Sequence, residues 1–260
     1  MTRPEHPEPG RPRGRVYRAP MTDAAPKTTS TSASATASGP ADASAAAKAS
    51  AAAKASASAT DPVPVTVIPA NQAPWDDLRT VFGDRGTPHD CQCQWFKLLA
   101  KEWRATPRRD REALFRSQTH CGDPDADTTG LVAYLGEEPV GWCAVEPRPE
   151  YPRLPKLRIP WTGRDEDPDD PAVWAVTCFV VRTGFRRRGV SRALTAAAVD
   201  YAREHGARAV EGYALVTVPG KEIVWGELFV GAQSVYEDCG FTEVSAPTPR
   251  RRVMRIDFTG

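Results

Sequence analysis

Between Val181 and Arg192 the chain reads V-R-T-G-F-R-R-R-G-V-S-R, an arginine-rich segment set between an apolar run and a helical pattern. A chain that leaves a buried strand and enters a helix presents free backbone N–H groups at the helix N-terminus, where the helix dipole also favours negative charge. Gly189 lets backbone approach a ligand closely, and the small Ser191 keeps the turn open. Arg186, Arg187, Arg188 and Arg192 add charge-assisted hydrogen bonds. The chemistry this suits is the binding of a phosphate, and a pyrophosphate above all. A solvated basic loop ahead of an ordinary helix has the same composition, so the loop by itself leaves both readings open.

The thiols and imidazoles suit a metal poorly. His89, Cys91 and Cys93 precede His120 and Cys121, but one residue separates Cys91 from Cys93 where structural zinc sites place two or more, and no second paired motif follows. No metal site is expected. A packed, reduced pair beside Trp95 and Phe96 is the better account. Cys178 lies within an apolar run without a His or Asn context, and burial raises a thiol's pKa, so it is assigned no covalent role.

The elements that must hold the Arg186–Arg192 loop follow from periodicity. Val173 to Val181 (VWAVTCFVV) is a continuous apolar run of the kind buried on both faces, and is expected to be the central strand. Leu194, Ala197, Ala198, Tyr201 and Ala202 recur at helical spacing and Gly206 supplies a stop, which predicts a helix over about 191–205. Ala209 to Val216 returns as a strand. Strand, helix, strand is a crossover that makes neighbouring strands parallel.

Upstream, Val63 to Ile68 reads as a first strand, about 74–82 and 108–118 as helices, the latter entered through Thr106-Pro107. Leu131 to Leu135 and Val140 to Val145 read as a hairpin about Gly136-Glu137-Glu138-Pro139. Downstream, Gly231 to Cys239 is a last helix, and Phe241 to Val244 and Val253 to Phe258 close the sheet. Pro147 to Pro171 carries seven prolines and is expected to be a long loop, a candidate substrate-facing flap. The fold class is mixed α/β.

Composition bounds the rest. Residues 1–61 are almost all Ala, Ser, Thr, Pro, Lys and Arg, with ASAAAK at 43–48 repeated at 49–54, and Val16 and Tyr17 the large apolar residues beyond the methionines. Such a stretch cannot offset the entropy of ordering, so a disordered tail is expected, followed by one domain over 62–260. Met21 is an alternative start to Met1. Formal net charge is +1, so no nucleic-acid partner is expected despite the basic cluster Arg11, Arg13, Arg15 and Arg18. Six cysteines without a framework spacing, no signal-peptide core and no membrane span lead to the expectation of a cytoplasmic protein with reduced thiols.

Arg186-x-x-Gly189-x-Ser191 resembles the acetyl-CoA signature of the GNAT superfamily of N-acetyltransferases, Q/R-x-x-G-x-G/A, with Ser191 as a conservative departure. A second family segment, A-x-x-x-Y-E-x-x-G-F, appears as Ala232, Tyr236, Glu237, Gly240 and Phe241. The resemblance spans roughly Leu131 to Phe258. It implies a mostly antiparallel central sheet with a parallel pair flanking the cofactor and helices on both faces. It also implies acetyl-CoA as co-substrate, its pantetheine arm along Phe179, Val180 and Val181 like an added strand, and its pyrophosphate on Arg186, Arg187, Arg188, Gly189, Val190, Ser191 and Arg192.

By the same resemblance Tyr236 would protonate the departing thiolate, a core tyrosine being the alternative. Trp174 and Thr177 stand where some relatives carry an acidic base, which leaves Glu222, then Glu227, Glu146 and Glu211. Phe229 stands where many relatives place an Asn. The function implied is direct transfer of acetyl to a primary amine of a small molecule or peptide. The alternative is a catalytically impaired acyl-CoA-binding module, and a homodimer is compatible with either.

Overall fold

The computed structural model describes residues 14–17, 64–218 and 225–258. These form one eight-stranded sheet with helices on both faces. The strands are β1 (Arg15–Tyr17), β2 (Val65–Pro69), β3 (Gly130–Leu135), β4 (Glu138–Pro147), β5 (Val173–Val181), β6 (Ala209–Gly212), β7 (Thr242–Thr248) and β8 (Arg251–Asp257), in the spatial order β1-β2-β3-β4-β5-β6-β8-β7. Every neighbouring pair is antiparallel except β5 and β6. The expected mixed class, mostly antiparallel with one parallel pair, is the fold found.

The VWAVTCFVV run is strand β5 over its predicted bounds, its first eight residues buried. The crossover helix is α5 (Val190–Glu204), whose Leu194, Ala197, Ala198 and Ala202 are buried on one face of the sheet. Gly206, at φ 77°, ends it as its position predicts. On the other face pack α1 (Trp75–Phe82) and α4 (Arg108–Thr119), through Leu78, Val81, Phe82 and Phe115 onto Trp142 and Ala144 of β4. The hairpin turn is tighter than expected, at Gly136 and Glu137 alone, because Glu138 and Pro139 already pair with Leu135 and Tyr134. No helix among the described residues is long and apolar enough to cross a membrane.

Four departures matter. Two helices of six residues, α2 (Gly86–Cys91) and α3 (Ala100–Ala105), were not expected, since they are too short to carry a periodic apolar stripe. Strand β6 stops at Gly212 rather than 216, and beyond it Leu215 makes only isolated bridges to Ala232 and Arg251. The Tyr236 ring lies so close to Gly212 that a Cβ there would meet it at 2.3 Å. The last helix, α6 (Gln233–Glu237), is correspondingly shorter than 231–239.

Fourth, the expected disorder through Asp61 does not hold at Arg15–Tyr17. This strand pairs with Val65–Val67, while Arg15 bridges Asp200 at 3.0 Å and also Glu204, and Tyr17 donates to Asp200 at 3.0 Å. Three residues inside a polar tail carry too little pattern to be seen as a strand. The rest of residues 1–61, with the ASAAAK repeat, lies outside the described residues.

The Pro147 to Pro171 segment is a long connection, but it is tethered rather than free-standing. It contains three 3-10 turns, Arg148–Glu150, Leu154–Lys156 and Ile159–Trp161. Arg148, fully buried, donates to both carboxylate oxygens of the fully buried Glu211 at 3.0 and 2.6 Å and to Glu166 at 2.8 Å. Arg164 reaches Glu211 at 2.7 Å, and Arg255 reaches Glu166 at 2.8 Å. Each buried charge has an opposite partner, which offsets the desolvation that would otherwise penalise it.

Candidate functional site

Strands β5 and β6 pair only from Val173–Ala209 to Val176–Gly212. Past that point β6 has ended, so the backbone edge of β5 from Thr177 to Val181 has no ladder partner on this side among the described residues. A cavity of about 950 Å³ opens along it. Its floor is Cys178, Phe179, Val180 and Val181, and one end is the loop that enters α5, with Arg186, Arg187, Gly189, Val190, Ser191 and Arg192. An unpaired strand edge offers alternating N–H and C=O groups to an extended ligand.

The loop turns into α5 through two residues of left-handed backbone. Gly189 is the cap of α5 at φ 77°, and Arg187 also takes a positive φ, 60°. The first backbone bond into the helix is donated by Ala193 to the Gly189 carbonyl at 3.0 Å. The amides of Val190, Ser191 and Arg192 precede it, so they belong to the helix end that has no intrahelical acceptor. Concave runs of such amides bind phosphates. Arg192 is held by an ion pair with Asp238. Of the ten residues expected to hold the cofactor, all but Arg188 line the cavity; Arg188 is exposed with its guanidinium 5.5 Å from the Phe185 ring centre.

Five aromatic side chains away from the loop in sequence also line the cavity: Phe82, Trp95, Phe96, Trp103 and Phe229. Sequence reading missed this aromatic wall. The density of aromatic residues between Cys91 and Trp103 is visible in the sequence, but it follows neither helical nor strand periodicity. Cys91, Cys93 and Cys178 also line the cavity. Trp142 donates from Nε1 to the Cys93 sulfur at 3.3 Å. Burial pushes the Cys91 thiol up to about 11, and a hydrogen bond with Cys93, reinforced by burial, raises Cys178 well above the ordinary thiol range. Cys91 and Cys178 are therefore neutral thiols, poor nucleophiles near neutral pH. Among the described residues no three His, Cys, Asp or Glu side chains form a group able to hold a metal.

The acid–base candidates are scattered. Tyr236 is fully buried beside Phe179 and Phe241, its hydroxyl donates to the Val230 carbonyl at 2.8 Å, and it does not line the cavity. Burial raises its phenol well above the usual range. Glu222 lies outside the described residues. Glu227 pairs with Arg250 and Glu211 with Arg148 and Arg164. Glu146 is buried, with Lys97 Nζ at 2.6 Å and the Thr129 hydroxyl on its carboxylate; burial raises its pKa while Lys97 opposes. Trp174 packs on Tyr201, with ring centroids 5.9 Å apart, and Thr177 is the extra residue where the β4–β5 register shifts. Among the described residues the cavity lining contains no Asp, Glu, His or Tyr.

The sequence model of the Acetyltransferase (GNAT) family matches residues 93–222. A search of curated protein sequences finds no match. Among solved structures, the chain is similar to the GNAT domain of S. lividans PAT, at 18% identity over 75% of this chain and 91% of that one, with a TM-score of 0.39. It is also similar to the paia N-acetyltransferase from Thermoplasma acidophilum in complex with coenzyme A, at 12% identity over 75% and 99%, TM-score 0.40. A third is a Bacillus subtilis acetyltransferase in complex with CoA, at 14% identity over 50% and 78%, TM-score 0.32.

Proposed function

The chain belongs to the GNAT acetyltransferase family, which uses acetyl-CoA, and on that premise we propose that the domain over 62–260 transfers acetyl directly to a primary amine of a small molecule or peptide. The observation that carries this is the union, in one cavity, of the open β5 edge with the glycine-capped start of α5. The residues present fit the donor. Amides at 187–192 suit its pyrophosphate, and the edge at Phe179, Val180 and Val181 suits its amide-bearing arm. When bound, acetyl-CoA supplies an acyl group activated as a thioester.

What the chain contributes is binding and orientation. The cavity holds the nucleophile against the acyl carbon, and bringing two reactants together accounts for much of a bimolecular rate gain. Direct transfer needs no enzyme nucleophile, and the neutral thiols at Cys91 and Cys178 suit that role of bystander. Tyr236 has one O–H to donate, and Val230 already receives it, so the geometry supports a brace between α6 and the Trp225–Val230 turn better than a proton donor. Glu222 is the proposed acceptor of the proton that the amine nitrogen gives up as it bonds to the acyl carbon.

The test is release of free thiol from acetyl-CoA in the presence of an amine panel, with the N-acetyl product identified by mass. Tight acetyl-CoA binding with no amine turned over would favour the catalytically impaired acyl-CoA-binding module instead.

A further inference from the structure

The aromatic part of the cavity lining has an electrostatic character of its own. Trp95 and Trp103 meet edge to face, with ring centroids 5.3 Å apart, and both line the cavity. Each indole already carries a guanidinium: Arg153 lies 3.7 Å from the Trp95 centroid and Arg111 lies 3.9 Å from that of Trp103. The hydrogen bonds of these arginines go to carbonyls. Arg111 donates to Asp90 and Trp103 backbone oxygens at 2.6 and 3.3 Å, and Arg153 to that of Trp95 at 3.5 Å. Two positive charges therefore lie against indoles that line the cavity, and the described lining offers no carboxylate in return.

An ammonium group is badly served by such a wall. The aromatic quadrupole that would attract it is already satisfied on one face of each indole, and the guanidinium charges add repulsion. A flat, neutral ring is well served, since indoles and phenyl rings pack edge to face or offset against it. Building on the acetyl-transfer reading, we propose that the acceptor is a weakly basic amine on a flat aromatic body, an aryl amine, taken up uncharged between Trp95, Trp103, Phe96 and Phe229.

The chemistry agrees with the lining. An aryl amine is unprotonated near neutral pH because its nitrogen lone pair is delocalised into the ring, so no side chain has to remove a proton before attack. The nitrogen forms a bond to the acyl carbon, the carbon–sulfur bond breaks with its electron pair going to sulfur, and the nitrogen's surplus proton ends on the thiol. The products are an N-aryl acetamide and free coenzyme A. A cavity without carboxylate, imidazole or phenol among its described lining suffices for that reaction.

The test uses the full chain, acetyl-CoA and matched probes: 4-methylaniline and 2-aminonaphthalene against cyclohexylmethylamine and spermidine. The aryl amines should have a kcat/KM at least about tenfold higher near pH 7 and nearly flat between about pH 6.5 and 8.5, whereas a rate limited by the free base of an alkyl amine rises about tenfold per pH unit. Arg153→Met and, separately, Arg111→Met keep apolar stems on the indoles and remove the charge. Each should narrow the aryl-to-alkyl preference several-fold. Acetyl-CoA binding with alkyl amines or spermidine preferred, or a preference unmoved in both variants, would overturn the acceptor assignment and leave acetyl transfer standing. Failure to bind acetyl-CoA or to acetylate any amine would overturn both.

Discussion

Replacing Tyr236 by Phe removes one oxygen from a side chain with no solvent exposure, leaving the ring against Phe179 and Phe241 at centroid distances of 6.1 and 5.1 Å. What is lost is the 2.8 Å hydrogen bond to the Val230 carbonyl. Leaving a buried acceptor without its donor costs about 1–3 kcal/mol. In a domain of this size each kcal/mol moves the melting temperature by about 2–4 °C, so Tyr236→Phe should melt about 2–12 °C lower. Val230 ends the 3-10 turn whose Leu228 and Phe229 line the cavity, so looser packing there should raise the acceptor KM more than it lowers kcat. Loss of a general acid does the opposite, lowering kcat by about 10²–10⁴ while stability holds. Thermal unfolding and steady-state thiol release on the same preparation separate the two. An unchanged melting temperature with kcat reduced about a hundredfold would refute the brace and restore the proton donor.

Three further outcomes are expected. Acetyl-CoA at about 100 times its Kd should stabilise the wild type by about 2.7 kcal/mol, and Gly189→Asp, which sets a carboxylate beside the amides that start α5, should abolish the shift; an intact shift in thermal unfolding would show the loop binds no phosphate. The Glu166 carboxyl, pushed up by partial burial but pulled down further by hydrogen bonds from Arg148 and Arg164, sits at about 2 against an ordinary 4.5. A depressed native pKa contributes stability that is complete above about 4.5 and lost as pH falls toward 2, so denaturation midpoints of Glu166→Gln should depend less on pH across that window, and an equally steep acid limb would contradict the assignment. Deleting residues 1–60 removes β1 with its largely exposed ion pairs to Asp200 and Glu204, interactions of about 0.2–1 kcal/mol each. Melting should fall by a few degrees with the acetyl-CoA shift kept, and a truncated chain unable to fold or to bind acetyl-CoA would count against a domain that begins near residue 62.

Periodicity and local chemistry decided much of this protein before any tertiary structure. A nine-residue run rich in valine and aromatic residues reads as a strand buried on both faces, and a 3.6-residue apolar stripe stopped by Gly206 reads as an amphipathic helix. The crossover between β5 and β6 follows from that order, and so does the glycine cap that leaves amides free at the start of α5. These are properties of neighbours in the chain. Strand β1 was hidden because three residues borrow their stability from β2 and from acids on α5, nearly two hundred positions away. The aromatic wall was hidden because α2 and α3 are too short to show a stripe, so Phe82, Trp95, Trp103 and Phe229 converge only when the sheet brings their segments together. Tyr236 shows the division most sharply. Its motif is legible in the sequence, whereas the partner of its hydroxyl depends on where the Trp225–Val230 turn packs, and that is set by long-range burial that no local pattern encodes.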